Sequence, residues 1–331
     1  MAGMVSVVIV NWNGKQHLQR CLSAVLAQTC SNFEVMLVDN GSTDGSAEFV
    51  SQQFPQVRLI RNTENLGFAK GNNIAFEFVQ GDYIATLNND TQADPHWLSE
   101  LMKGIEAHPR VGMCASKMLF YHHPHIINST GINLDRTGIA WDRRGGEEDR
   151  EGQEEVEEVF GPCAGAALYK RQMLEEIGFF DEDFFAYLED VDLAWRARLM
   201  GWRSLYVPTA RVYHLYSATG IEGSPYKSYL LGRNKIWTIL KNYPAPQIFI
   251  FLPLILFYDL ASVLYALLAR RDTNALKGRI TGWRELPKVL AKRKEVQGKR
   301  SISFSALAGI MSPLENPFKI PGRYRHLREL G

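Results

Sequence analysis

Four β-strand patterns alternate with three helical ones over residues 4–90, and no other feature of the chain limits its fold as tightly. Residues 4–10 are a continuous β-branched, apolar run closed by Asn11-Trp12-Asn13-Gly14, the pattern of a buried strand. Residues 15–29 place Leu18, Leu22, Val25 and Leu26 on one helical face. Residues 33–38 predict a second strand, 46–53 a short helix and 57–60 a third strand. A helix over 71–79 with Ile74, Ala75 and Phe78 inward follows, then a fourth strand over 83–87. This order demands right-handed crossovers and a parallel sheet. The expected fold is α/β, a mostly parallel Rossmann-like sheet flanked by helices. A helix over 95–107 is predicted next, opened by Asp94-Pro95 as cap and first helical residue.

Beyond residue 110 the pattern loosens. Residues 111–116 read as a strand, and 120–160 are less regular. The acidic run 145–158 reads as an exposed, mobile loop. Gly161-Pro162-Cys163-Ala164-Gly165 supplies small residues that let backbones approach closely. Residues 191–200 predict a helix ended by Gly201. Residues 204–207 and 210–213 predict two closing strands.

Charge is unevenly spread. Residues 270–331 carry 15 Lys or Arg against 5 Asp or Glu, near +10, so the rest is near −9 within a total of +1. A basic tail on an acidic body points to an anionic surface as partner. Residues 247–269 are almost wholly apolar, broken by Pro253, Asp259 and Ser262. As a helix they extend about 34 Å, enough to cross a bilayer core. Basic residues flank both ends, among them Lys235, Lys241, Arg270 and Arg271. One crossing cannot keep both flanks on the positive side. An interfacial or re-entrant helix satisfies both, with a buried core helix or a homodimer helix as the plainer alternative. The adjoining apolar run makes membrane, rather than nucleic acid, the expected partner of the basic tail. The four scattered cysteines form no Cys-x-x-Cys pair, which favours a reducing compartment over a disulfide or zinc scaffold.

Polar signals close the predicted strands, where an open α/β sheet binds its ligands. Asp39 opens the turn Asp39-Asn40-Gly41-Ser42-Thr43-Asp44. Its carboxylate can accept from a nucleobase N–H or can simply cap the turn. Asn65 to Asn73 is a glycine-containing loop leading into a helix, suited to a diphosphate or needed only for its turn. Asn88-Asn89-Asp90 ends the fourth strand. Asp90 could hold Mg²⁺ or Mn²⁺, with His214 as an imidazole ligand. Glu189-Asp190-Val191-Asp192 opens a helix with more carboxylates than capping requires, and one could serve as a general base.

Taken in order, these motifs resemble the family 2 glycosyltransferases of the GT-A fold. The resemblance covers about residues 4–220, extends weakly through Arg233-Asn234-Lys235, and is nearest to bacterial rhamnosyltransferase-type enzymes. It implies that Asp39 contacts the donor base, with Val10 and Asn11 beside the nucleotide. It places Asn65, Gly67, Lys70 and Asn72 at the diphosphate, and Asn88 and Asn89 at the donor. Asp90 becomes the last acid of the family's Asp-x-Asp motif, His214 the second metal ligand, Asp190 the general base, and Glu189 its neighbour. Asn88 stands where many members have Asp, leaving one carboxylate in that motif. The Gln-x-x-Arg-Trp motif of processive synthases is absent, which argues for single-sugar addition.

The implied activity is inverting transfer of a sugar, rhamnose by this resemblance, from a dTDP- or UDP-linked donor to a lipid-linked glycan. The implied location is the cytoplasmic face of the bacterial plasma membrane. The implied organisation is a GT-A catalytic domain over 1–225, split near 110 into donor and acceptor halves, followed by a membrane-associated helical region over 226–331. Two other classes compete: a sugar-phosphate nucleotidyltransferase, disfavoured by the poor glycine loop after the first strand, and a non-catalytic membrane-tethered scaffold.

Overall fold

A computed structural model describes residues 3–215, 224–245 and 247–314. The first half runs β1 (Val5–Asn11), α1 (Lys15–Leu26), β2 (Phe33–Asn40), α2 (Ser46–Gln53), β3 (Arg58–Asn62), α3 (Gly67–Phe76) and β4 (Tyr83–Leu87), then β5 (Thr91–Ala93) and α4 (Trp97–Glu106). Strands β3, β2, β1 and β4 lie side by side and parallel. β1 is almost wholly buried because it is central and covered on both faces, as its unbroken apolar run requires.

The second half contributes β6 (Val111–Phe120), β7 (Ile127–Ser129), β8 (Ile132–Leu134), β9 (Ala140–Asp142), β10 (Glu157–Glu158), β11 (Ala166–Lys170), α5 (Arg171–Ile177), α6 (Glu189–Leu199) and β12 (Arg203–His214). β11 pairs antiparallel with β4 and β6, and β12 runs parallel to β6. The sheet is therefore parallel at its donor end and mixed beyond. One face packs against α1 and α4 through Leu18, Leu22, Trp97 and Leu101. The other packs under Ala75, Met173, Leu193 and Trp195.

Local differences from expectation have physical causes. α3 starts at Gly67, not 71, because Asn65 Oδ1 accepts from Gly67 N at 3.0 Å and nucleates the first turn early. Phe78 does not point inward. It is 43% exposed, with Arg58 over its ring. α4 begins at Trp97 because Asp94 first closes a turn on His96 N. The two closing strands are one, β12, with an irregularity between Val207 and Arg211. The acidic run is mostly exposed but is pinned by ion pairs along its length, two of them to one buried lysine. Lys117, 1% exposed, binds Asp149 and Glu154 at 2.5 Å each, and Tyr206 Oη donates to Glu154 at 2.7 Å.

The charged-looking α6 is almost entirely buried. Arg196 donates to Asp192 and to the carbonyls of Ile177, Gly178 and Phe179, and Arg198 donates to Glu158 and Phe160 O. These partners satisfy cations that would otherwise be prohibitive inside a core.

Five more helices follow: α7 (Pro225–Asn242), α8 (Gln247–Ala269), α9 (Asn274–Arg284), α10 (Leu286–Gly298) and α11 (Phe304–Ile310). α7 and α9 pack backbone to backbone. A Cβ on Gly278 would stand 2.1 Å from Tyr229 O, and one on Gly232 2.5 Å from Ala275 O. α8 is the 23-residue apolar helix expected at 247–269, and it runs through Pro253. Its inner face carries Ile248, Ile255, Tyr258 and Val263, and its Asp259 is bound by Lys235 at 3.1 Å and Arg279 at 2.9 Å. Its outer face exposes Phe249, Leu256, Phe257, Leu260, Leu264 and Leu268. Part of the basic tail is consumed internally. Lys288 and Lys292 bind Asp183, and Lys292 also binds Asp181. The tail beyond 314 lies outside the described residues.

Candidate active site

The strand register brings the polar signals together. Asn11 pairs with Asp39 across β1 and β2, and Val8 with Thr86 across β1 and β4, so the carboxyl ends of all three strands share one edge. A buried relay fixes that edge. Asn89 Nδ2 donates to Asn11 Oδ1 at 2.7 Å, and Asn11 Nδ2 donates to Asp39 Oδ1 at 3.0 Å. Asp39 Oδ2 accepts from Ser42 N at 3.1 Å. Asn11 and Asn89 thus spend their amides on each other and on Asp39, with 0% and 3% exposure. They hold Asp39 from below. Trp12, 46% exposed, stands beside them, although the sequence marked it only as a strand end.

The glycine loop is anchored by a residue to which the sequence assigned no role. Asn40 Nδ2 donates to Gly67 O at 2.9 Å, and Asn62 Nδ2 donates to Asn40 Oδ1 at 2.8 Å. Gly67 has φ +84°, so glycine is required there on conformational grounds as well. Gly71 lets α3 approach Val10, whose Cγ1 would lie 2.9 Å from a Cβ at that position. Asn72 is buried and donates to Phe68 O at 2.9 Å. Lys70 is half-exposed in the first turn of α3, with Nζ 3.7 Å from Glu182.

Asp90 and His214 meet because β5 pairs with β12, setting His214 opposite Thr91. His214 Nε2 lies 3.2 Å from Asp90 Oδ1, and Nδ1 lies 2.9 Å from Asn128 Oδ1. That amide oxygen can only accept, so the ring donates from Nδ1 to Asn128 and Nε2 faces Asp90. An imidazole oriented by an outer hydrogen bond beside a carboxylate can serve as part of a divalent-metal site. Among the described residues no group of three or more His, Cys, Asp or Glu side chains gathers. Two protein ligands therefore fit a cation completed by substrate phosphate and water. Residues 216–219, after His214, lie outside the described residues.

Asp190 joins the same edge through the small-residue segment. Its Oδ2 accepts from Ala164 N at 3.2 Å and its Oδ1 from Val191 N at 2.8 Å. The next residue, Gly165, accepts from Asn88 N at 2.9 Å, two residues before Asp90. A Cβ on Gly165 would stand 3.1 Å from Asn88 Nδ2. Burial pushes the Asp190 carboxyl up to about 6 against the two N–H donors, and Asp142 on β9 adds to the rise. Glu189 is pushed well above the usual carboxylate range by burial and then by the Asp190 charge. Its Oε2 is buried without a hydrogen-bond partner. A carboxyl of raised pKa in this setting suits proton abstraction. Asp142 and Asn128 carry no sequence signal, because they sit on the three-residue strands β9 and β7, too short to show a period, and reach the site only through chain folding.

Two solved structures share this fold. GalNAc-T7 with UDP, GalNAc and Mn²⁺ matches with a TM-score of 0.59 at 20% identity, over 72% of this chain and 48% of that one. The mannosyltransferase PcManGT from Pyrobaculum calidifontis, in complex with GDP-Man and Mn²⁺, matches at 0.55 and 17% identity, over 100% and 86%. The fold is that of the GT-A glycosyltransferases. A profile described as Glycosyl transferase family 2 matches residues 6–178, and the chain belongs to that family. It is 28% identical over 235 residues to the N-acetylglucosaminyl-diphospho-decaprenol L-rhamnosyltransferase of Mycobacterium tuberculosis, covering 65% of this chain and 76% of that protein. The chain is a glycosyltransferase.

Proposed function

We propose that this glycosyltransferase inverts configuration and adds one sugar, rhamnose from a dTDP or UDP donor, to a hydroxyl of a lipid-linked glycan. The observation that supports the proposal is the chain of contacts Asp190–Ala164 and Gly165–Asn88, which ties the Asp190 carboxyl of raised pKa to the strand end that carries Asp90 and its neighbour His214. Asp190 takes the acceptor proton as the acceptor oxygen attacks the anomeric carbon. The bond from that carbon to the diphosphate oxygen breaks, and no enzyme-bound sugar forms. Asp90 and His214 would hold Mn²⁺ or Mg²⁺, which when bound neutralises charge on the leaving diphosphate. The α3 N-terminus, with Gly67 and Lys70, would face the same diphosphate. The rhamnosyltransferase relative supports the sugar and the lipid carrier.

Residues 1–225 form the catalytic domain in this proposal, with donor and acceptor halves meeting near 110, and 226–331 the membrane-associated region. α8 lies in the interface of the cytoplasmic leaflet rather than across it. Asp259 faces inward on Lys235 and Arg279, while the opposite face is apolar along its full length. α9 adds Leu276, Ile280 and Trp283 on one face, flanked by Lys277 and Arg284.

The test uses full-length enzyme in detergent, dTDP-rhamnose, and polyprenyl-diphosphate-linked N-acetylglucosamine. Transfer with inversion that needs Asp190 is expected. Near wild-type transfer by a folded Asp190→Asn enzyme would refute the mechanism. Thermal melting against UDP, dTDP and GDP, with and without Mn²⁺, assigns the nucleotide class.

A further inference from the structure

The Asp190 carboxylate reaches the site on a strained backbone. Phe185 has φ 65° and ψ −65°, and Ala186 N donates to Phe184 O at 2.8 Å, which makes a γ-turn of the rare positive-φ form. Tyr187 and Leu188 follow at φ 69° and 67°, and Glu189 and Asp190 come next. Side-chain-bearing residues keep such conformations only where their surroundings hold them.

Asn234 on α7 provides that hold. It is fully buried, and its Nδ2 lies 3.0, 2.9 and 2.7 Å from the carbonyl oxygens of Phe184, Ala186 and Tyr187. Its Oδ1 accepts from Arg233 Nε at 2.9 Å, and Arg233 Nη2 donates to the carbonyls of Asp183 and Phe184. Both polar atoms of Asn234 are therefore spent on this turn and on the arginine that supports it. From the opposite side Ala69 N, in the first turn of α3, donates to Phe185 O at 3.1 Å. A Cβ on Gly67 would stand 2.5 Å from that same oxygen. The turn is clamped between the donor-side helix and α7, and it leads directly into the base.

The geometry points to Asn234 as a positioning residue for sugar transfer: it holds the strained 184–188 turn and thereby sets Asp190 against the donor loop at Gly67. This inference rests on Asp190 acting as the base. A carboxylate at 234 would oppose three carbonyl oxygens, and an aliphatic residue would remove the one donor that all three share, so the position calls for an uncharged donor.

The test compares Asn234→Ala, Asn234→Ala with Tyr187→Gly, and Asp190→Asn in the full-length enzyme. Amide hydrogen exchange is read alongside the transfer assay described above. In Asn234→Ala, exchange should quicken across 184–190 while the rest of α6 stays protected. Its kcat should fall about 100-fold, the scale of an ångström-sized misplacement, with acceptor KM changed less than about threefold. Glycine accepts positive φ without a Cβ penalty, so Tyr187→Gly should return at least about threefold of the lost kcat. A folded Asn234→Ala enzyme with wild-type kcat, or with unchanged exchange at 184–190, overturns the inference. So does a loss that glycine at 187 leaves untouched. If Asn234→Ala does not fold, Asn234→Ser, which keeps one donor, takes its place with the same readouts. An inactive Asp190→Asn beside a fully active Asn234→Ala sinks only the positioning role. An active Asp190→Asn sinks the base assignment and, with it, the positioning of that base.

Discussion

Asp190 works against the stability of its own fold. Its carboxyl rises from 3.8 to about 6 through burial, so the folded state favours the neutral form. Ionisation then costs stability progressively from about pH 4 to pH 6 and in full above, up to about 3 kcal/mol. Asp190→Asn should therefore melt higher than wild type at pH 7.5 and no higher at pH 4, while kcat drops about 10²–10⁴-fold. Wild-type kcat should rise through about pH 6, and Asp142→Asn should move that acid limb to lower pH, because Asp142 helps to raise the base. Asn128→Leu should weaken Mn²⁺ binding about 10–100-fold by calorimetry, since it frees the His214 ring. Asp39, Asp90, Asp190 and His214 stood out in the sequence as candidates because they sit at strand ends or at a helix start. Asn128 and Asn234 did not. Their partners lie 86 and 47–50 residues away, and no local pattern encodes such contacts.

Among the elements, the donor-end strands were legible because each apolar run is short and ends in turn residues, whereas β5, β7, β9 and β10 are too short to show a period. Helix starts moved because a side chain just upstream closed a turn first, as Asn65 and Asp94 do. The α7–α9 contact was hidden because glycine in a helical pattern reads as a weakness rather than as a contact. Gly278→Ala should force the two backbones apart and cost about 1–3 kcal/mol in a denaturant titration. α8 was plain as an apolar run, but its two faces were not. The inward turn of Asp259 is set by Lys235 and Arg279 on the neighbouring helices. Leu256→Ser, Leu260→Ser and Leu264→Ser together should cut flotation with anionic vesicles by more than about tenfold and leave nucleotide binding unchanged.

Across the whole molecule, charge joins the C-terminal helices to the catalytic body. Buried Asp192 accepts from Arg196, Lys241 and Asn242, and Asp181 takes Lys241 and Lys292. Asp181 is held well below the usual carboxylate range by those lysines, against its burial. A chain ended near residue 240 would lose Lys241, Asn242 and all of α10. Its transfer to a water-soluble acceptor analogue should fall with its melting temperature, so lost activity in such a chain does not by itself report on membrane contact.

The glycine-lined pairing of α7 and α9 also sets a timetable. α8 lies between them in the chain, so α7 cannot find its partner until the ribosome has made and released everything through residue 284. Residue 190 leaves the ribosome earlier, before Asn234 can donate to the carbonyls of Phe184, Ala186 and Tyr187. The backbone-to-backbone contact of α7 and α9 therefore forms only after the whole apolar helix α8 has emerged.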